Sequence, residues 1–353
     1  MNLKLRNQAD CTYDLVSLGE VMLRFDPGDG KIRHSHTFQV WEGGGEYNTA
    51  KGLSRCYGLK TAIVTALVDN EVGRLIESLI CQGKVDNALI NWVPDDGFGR
   101  ENRNGIYFLE RGFGIRGGRA VFDRGNTPVS KLKKGDINWE SLFRNQGARW
   151  FHSGGIFAAL SDSAPEVIEE AMSTAKKHGT IVSYDLNYRP ALWQARGGKK
   201  KHQEITHRLL PYVDLLFGAD LPEDYNATSD LSGLKESMAG TLESFDNLAG
   251  IATTWRKSSS ASINDYGGFL LTREGLYEGQ EFIDLPIFDR VGSGDCFASG
   301  LIFGLLKGID PTQALNYGLA HSALTMTTPG DTSMVSQDEV ESVMQGQGGV
   351  MKR

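Results

Sequence analysis

Cysteine is scarce: four residues, Cys11, Cys56, Cys81 and Cys296, lie far apart in a chain of 353, and no C-x-x-C pair occurs. That spacing gives no sign of a zinc site or a thioredoxin-type motif, and scattered thiols suit a reducing compartment. Long basic tracts are missing too. The longest is Lys199-Lys200-Lys201, and the formal net charge is -7, so nothing points to nucleic acid. The longest nearly apolar run, Phe297–Leu306, falls well short of the ~20 residues a bilayer-spanning helix needs. The opening segment MNLKLRNQAD lacks the apolar stretch of a signal peptide. A soluble cytoplasmic protein with no membrane partner is therefore expected. Two well-known phosphate loops are also absent. There is no G-x-x-x-x-G-K-[ST], and no G-x-G-x-x-G opens an early strand–turn–helix unit.

What is present is the composition of an ordinary globular protein, 40% hydrophobic and 23% charged. Short apolar runs rich in β-branched residues recur at Asp14–Glu20, Thr61–Val68, Thr180–Asn187 and Val213–Asp220. Segments of helical spacing lie between several of them, most clearly Asn48–Tyr57, Pro165–His178 and Asp295–Lys307. Strands alternating with helices predict an α/β protein with a mostly parallel sheet. Ligands bind such sheets beyond the carboxyl ends of the strands. Two glycine-containing regions, about 22–42 and 99–126, break the rhythm with short strand-like pieces such as GIYFLE and RAVFDR. They are expected to form a small β lid on a single domain spanning 13–345, followed by a flexible tail at 346–353.

The most informative stretch is Asp289–Leu306, DRVGSGDCFASGLIFGLL. A G-x-G turn runs into a helix whose apolar face is Phe297, Leu301, Ile302 and Leu305. Unpaired N–H groups at a helix start, with the dipole behind them, attract anions, and glycines admit a phosphate closely. The N–H groups of Gly292, Ser293 and Gly294 can therefore form an anion hole for a phosphoryl group in transit. Asp295 in the first turn is expected to stay ionised and to take the proton of an attacking hydroxyl. On this segment alone it reads equally as an N-cap. A second glycine run, GGGEYNTAKGLSRCYG at 43–58, lets backbone press against a polyol, with Asn48 donating and accepting at hydroxyls.

Together the two segments resemble the paired signatures of the ribokinase-like (PfkB) carbohydrate kinases. The C-terminal pattern D-x-x-G-[AG]-G-D-x-F-x-[AS]-G is met by Asp289, Gly292, Gly294, Asp295, Phe297, Ser299 and Gly300, with Ser293 at the small-residue position. Within that family, the 2-keto-3-deoxygluconate kinases are similar at Gly43, Gly44, Glu46 and Asn48, at Tyr107 and Glu110, at Asp185, Asn187, Tyr188, Arg189 and Trp193, at Thr254-Trp255-Arg256 with Ser258–Ser262, and at Pro329-Gly330-Asp331. The resemblance implies a three-layer sandwich with a β lid, and transfer of the γ-phosphate of ATP to the sugar acid with Mg²⁺. It implies Asp295 as base. It places the sugar acid against Gly44, Gly45, Asn48, Tyr107, Phe122, Arg124 and Arg189, and ATP against Arg256, Ser258, Gly292 and Gly294. Arg124 and Arg189 are guanidinium forks suited to a carboxylate. Family lids often pair between subunits, so a homo-oligomer through the lid is expected.

The chain departs from the pattern in three places. The family's N-x-x-E segment, which helps organise Mg²⁺, reads FGADLPEDY here; Asp220 and Glu223 are the candidates, acting through water, with Asp224 as the alternative. Phe122 stands where a tyrosine is usual, and Thr127-Pro128 where small residues are. These differences keep two rivals open: a kinase of a neutral sugar, and a non-catalytic sensor of a sugar acid or nucleotide.

Overall fold

Strands that read as unbroken apolar runs need cover on both faces, and the main sheet has it. In the computed structural model, which describes residues 1, 3–220 and 231–349, neighbouring side chains of one strand enter different cores. Val16 and Leu18 join one core while Leu15 joins the other; Phe151 and Trp150 split the same way, as do Leu216 and Leu215.

The main sheet runs, in spatial order, Gly275–Glu278, Ile263–Thr272, Gly250–Ser260, Leu215–Phe217, Ile181–Asp185, Ala148–Gly154, Tyr13–Leu18, Thr61–Asp69 and Val85–Asp86. From Gly250–Ser260 to Val85–Asp86 every pairing is parallel. The strands beyond Gly250–Ser260 turn antiparallel. Helices Ala164–Lys177 and Gly198–Leu209 cover one face; Gly45–Tyr57, Ser293–Leu306 and Pro311–Thr325 cover the other. This is the ribokinase-like α/β architecture expected from the sequence.

Two details differ from expectation. The helix Ser293–Leu306 is buried from Cys296 to Leu306 on every side, not along one stripe. Its other face is glycine, alanine and serine, small enough to lie against Pro311–Thr325, and a helix packed all round is apolar all round. Ser258–Ser260, linker-like in composition, end a long strand of a hairpin whose turn reaches the lid: Ala261 N–H donates to Gly114 O at 2.9 Å, and Gly114 N–H to Ser262 Oγ at 2.8 Å.

The smaller sheet has four strands in the order Gln39–Gly43, Met22–Asp26, Ile106–Glu110 and Arg119–Asp123. Registers put Trp41, Arg24, Tyr107 and Phe122 in one row across it. The next row, on the opposite face, is Val40, Phe25, Phe108 and Val121. The first row looks down on the carboxyl ends of the main strands, where Gly19, Glu20, Gly154, Asn187 and Gly218 follow. Among the described residues, no helix is long and apolar enough to cross a membrane.

Candidate active site

Two helix starts meet beneath the small sheet. Gly292 caps the helix Ser293–Leu306 with a backbone φ of +79°, and a Cβ there would lie 1.7 Å from the carbonyl oxygen of Asp331. Only glycine meets both demands. Among the described residues the N–H groups of Gly292, Gly294 and Asp295 have no acceptor, while that of Ser293 makes a long 3.4 Å bond back to Arg290 O. Those free N–H groups sit where the helix dipole adds positive potential.

Asn48, in the first turn of Gly45–Tyr57, donates through Nδ2 to Asp295 Oδ2 at 2.7 Å. Its Oδ1 accepts from Gly44 N–H at 3.3 Å. Gly44 must be glycine because its backbone touches that of Glu20: a Cβ would sit 1.8 Å from Glu20 O. Deeper in, Ser299 Oγ donates to Thr49 O at 3.0 Å, which ties the two helices together. The other carboxylate oxygen, Asp295 Oδ1, faces Gly45, as does the Asn187 amide, 3.4 and 3.6 Å from where a Gly45 Cβ would be. Asn187 holds a positive φ of 35°, an uncommon state for a residue with a side chain and one that gathers at functional sites.

The Asp295 environment differs from the one the sequence suggested. Burial pushes its carboxyl well above the usual range, Asn48 opposes this by donating, and Asp185, Glu46 and Asp331 add to the rise. Glu46 is pushed up to about 7, chiefly by burial, and Asp185 to about 6, again by burial with Arg189 opposing. A carboxylate of raised proton affinity is better matched to proton abstraction than an ordinary one.

On the lid side Tyr107 is buried and stacks on Phe122, with ring centroids 5.3 Å apart. Phe122 stays 52% exposed, so it presents its ring to the space beneath the sheet. Arg124 does not hang free. Its Nη2 donates to Glu20 Oε2 at 2.6 Å, and Glu20 Oε1 accepts from Thr127 Oγ1 at 3.1 Å. Arg124 Nε is buried without a hydrogen-bond partner among the described residues. Thr127, one of the departures, thus anchors Glu20.

Arg189 lies elsewhere. It lines a cleft of about 560 Å³ together with Asp185, Asn187, Lys199, Asp220 and Gly294. Among the described residues its guanidinium hydrogen-bonds only to the Tyr188 carbonyl, at 3.1 Å. Asp220 is held by Gln203 at 2.9 Å and Lys199 at 3.7 Å; Glu223 and Asp224 lie outside the described residues. No group of three or more His, Cys, Asp or Glu positioned for a metal occurs among the described residues. The carboxylates of Asp185 and Asp220 offer the hard oxygen donors that suit a hydrated Mg²⁺ arriving with phosphates.

Arg256 is half-buried beside Arg290, with no carboxylate or hydrogen-bond partner among the described residues; burial first and Arg290 second push its pKa down. Ser258 is not brought to the cleft. It lines a different cavity of about 610 Å³, walled by Arg290 and the lid turn at Gly112–Gly118. Thr253 and Thr254 line the cleft instead. His321 is fully buried and bonded to Tyr57, a core residue.

Several residues here were not singled out as site residues from sequence: Glu20, Arg24, Lys199, Thr253 and Thr254. Glu20 carried a signal, since it follows a strand and a glycine. The others sit in unremarkable sequence and are collected by the fold.

A carboxylate at a helix start, beside free N–H groups and under a lid, is the equipment of a phosphotransferase with a hydroxyl acceptor. A model of the pfkB family carbohydrate kinases matches residues 12–338, and the chain belongs to that family. It is an ATP-dependent sugar kinase. The chain is 29% identical over 336 residues to a 2-dehydro-3-deoxygalactonokinase of Haloferax volcanii, covering 95% of this chain and 98% of that one. It is 26% identical to a 2-dehydro-3-deoxygluconokinase of Thermoproteus tenax, covering 96% of each. The crystal structure of a 2-dehydro-3-deoxygluconokinase from Thermotoga maritima superimposes with a TM-score of 0.85 at 31% identity, covering 94% of this chain and 99% of that one.

Proposed function

We propose that the chain phosphorylates 2-keto-3-deoxygluconate on its terminal hydroxyl, giving the 6-phosphate and ADP. The supporting observation is the pairing of Asp295 and Asn48 beside unpaired helix-start N–H groups, with a partly unsatisfied arginine nearby. Residues 13–345 act as one kinase domain whose lid segments lie within 22–42 and 99–126.

Asp295 takes the hydroxyl proton as that oxygen bonds to the γ-phosphorus. The bond from phosphorus to the β–γ bridging oxygen breaks, and ADP leaves with that electron pair. The N–H groups of Gly292, Ser293 and Gly294 face the charge on the transferring group. Asp220 and Asp185 would hold Mg²⁺ through water, and the ion would screen the phosphate charges. Arg256, beside Arg290, and Gly294 bind ATP; Ser258 has a place only if the nucleotide reaches the second cavity. Gly44, Gly45, Asn48, Tyr107 and Phe122 pack the sugar, and Arg124 and Arg189 receive its carboxylate from separate places. The lid closes and excludes water from the reacting atoms. Its outer row, Val40, Phe25, Phe108 and Val121, is apolar and partly exposed, which supports pairing of lids between two copies.

One observation favours a second reading, a neutral sugar. Glu20 already balances Arg124, and Glu46 and Asp185 add negative charge beneath the lid. The relatives do not favour it: matches at 24% identity, named 5-dehydro-2-deoxygluconokinases, are also named for a sugar acid. A coupled ADP-release assay with Mg-ATP separates the readings. The panel is 2-keto-3-deoxygluconate, its galacto epimer, gluconate, fructose and ribose. The expected result is turnover confined to the keto-deoxy acids; faster turnover of fructose or ribose would transfer the assignment to neutral sugars.

A further inference from the structure

The lid carries a second arginine, far more heavily bonded than Arg124. Arg24 is fully buried, and three carboxylates surround it. Nη2 donates to Asp26 Oδ2 at 2.7 Å and to Asp289 Oδ2; Nη1 donates to Asp331 Oδ1 at 2.7 Å. Two of these acids belong to the segments that shape the anion hole. Asp289 begins the turn leading to Gly292, and its Oδ1 accepts from Val291 N–H at 3.2 Å. Asp331 is the residue whose carbonyl oxygen presses on Gly292. Its carboxylate also accepts from the Tyr107 hydroxyl, so two lid strands share it. Val291 packs on Met22, Tyr107 and Leu109 of the same sheet.

We propose that Arg24 is a positioning residue for phosphoryl transfer, fastening the lid to Asp289 and Asp331 and so fixing the orientation of the Gly292–Gly294 backbone. Three buried carboxylates gathered on one guanidinium, with Arg111 Nε beside them at 3.5 Å from Asp26, are a costly way to hold a sheet in place. Apolar groups of similar volume commonly do so as well or better. What apolar groups do not supply is direction. The fork fixes two acids from different loops in one plane. The same cluster links the two substrates, because Tyr107, against the sugar, and Gly292, against the phosphate, both touch Asp331. Sugar bound under the lid is thereby felt at the anion hole.

The inference rests on the sugar-kinase activity and not on which sugar is used. Arg24→Lys keeps the charge and loses the fork. On whichever sugar of the panel turns over fastest, the variant is expected to melt cooperatively and keep its KM for ATP within about threefold. Its kcat is expected to fall about 30-fold, the scale of loss that small misplacements cause. Asp331→Asn is expected to fall similarly, and the double variant no further than the worse single one, as partners in one network do. Hydrogen exchange gives a readout independent of turnover: the amides of Val291, bonded to Asp289 Oδ1, and Cys296, bonded to Gly292 O at 2.9 Å, should exchange about tenfold faster, with the strands Tyr13–Leu18 and Ala148–Gly154 unchanged. If Arg24→Lys does not fold, Asp331→Asn carries both readouts. A folded variant with the parent's kcat, additive losses, or unchanged exchange at Val291 and Cys296 would each overturn the proposal, whereas a panel with no turnover would strike the substrate assignment alone.

Discussion

The two ends of the site are built differently. The proposed phosphate end is nearly contiguous: Asp289 to Ser299 supply the turn, the free N–H groups, the carboxylate proposed as base and the clamp to the neighbouring helix. The proposed sugar end is gathered from Glu20, Gly44 to Asn48, Tyr107, Phe122 to Thr127 and Asn187. Contiguity suits chemistry shared by every phosphoryl transfer. Dispersal suits an acceptor site that can change one residue at a time without disturbing the reaction. Two arginines of the lid, Arg24 and Arg124, repeat the contrast. Arg24 meets three carboxylates and Arg124 one.

If that division is right, damage at the phosphate end should be severe and independent of the sugar. Asp295→Asn keeps an oxygen for Asn48 and removes the base. Its kcat should fall about 10³-fold or more while equilibrium binding of ATP and sugar persists. Binding and single-turnover rates measured on one preparation check this. Activity of the parent should rise with pH, because the base works unprotonated, with an apparent pKa above the ordinary carboxylate range.

Glu46 lies at the junction of the two ends, and it sharpens the comparison. Its folded pKa of about 7 exceeds the ordinary value of 4.5, so the folded state holds the proton more tightly than the unfolded one. Stability from this group is therefore present below pH 4.5 and lost as pH rises through about 7. Glu46→Gln should remove a penalty of about 3 kcal/mol at pH 8 and almost nothing at pH 4. Denaturant melts at the two pH values test it. The same change removes a neighbouring charge from Asp295, so the rising limb of the activity profile should move to lower pH.

The smallest effect is expected from Phe122→Tyr. Phe122 is exposed to the space under the lid and stacks on Tyr107, so the ring has room to gain a hydroxyl. One added hydrogen bond should change KM for the sugar acid by about two- to tenfold and leave kcat and KM for ATP alone. A drop in kcat as large as that of Asp295→Asn would break the division between the ends.

How much of this the sequence disclosed follows the same line. The parallel strands and the flanking helices were legible because period and length carry them, as in Thr61–Asp69 and Ala164–Lys177. The turn before Asp295 was legible because its glycines and the helix they open are adjacent in the chain, although Asn48, the hydrogen-bond partner of Asp295, is 247 residues away. The state of Arg124 was not, since Glu20 is over a hundred residues away and only the lid's fold joins them. Arg24 was silent for the same reason: two of its three acids are at 289 and 331. The forks of Arg124 and Arg189 looked equivalent in sequence, yet one lies under the lid and the other in the cleft with Gly294. Ser258 and Thr253 exchange places because a strand longer than its composition suggested carries Ser258 out to the lid.

The most direct measurement is the ratio of kcat/KM for 2-keto-3-deoxygluconate to that for fructose, in the parent and in Arg124→Ala. In the parent the acid should be favoured by about a hundredfold, the scale of one charge-assisted contact. In Arg124→Ala that preference should collapse towards unity through a higher KM for the acid, with kcat largely kept. A parent that prefers fructose, or a variant that keeps the full preference for the acid, would contradict the assignment of the sugar end.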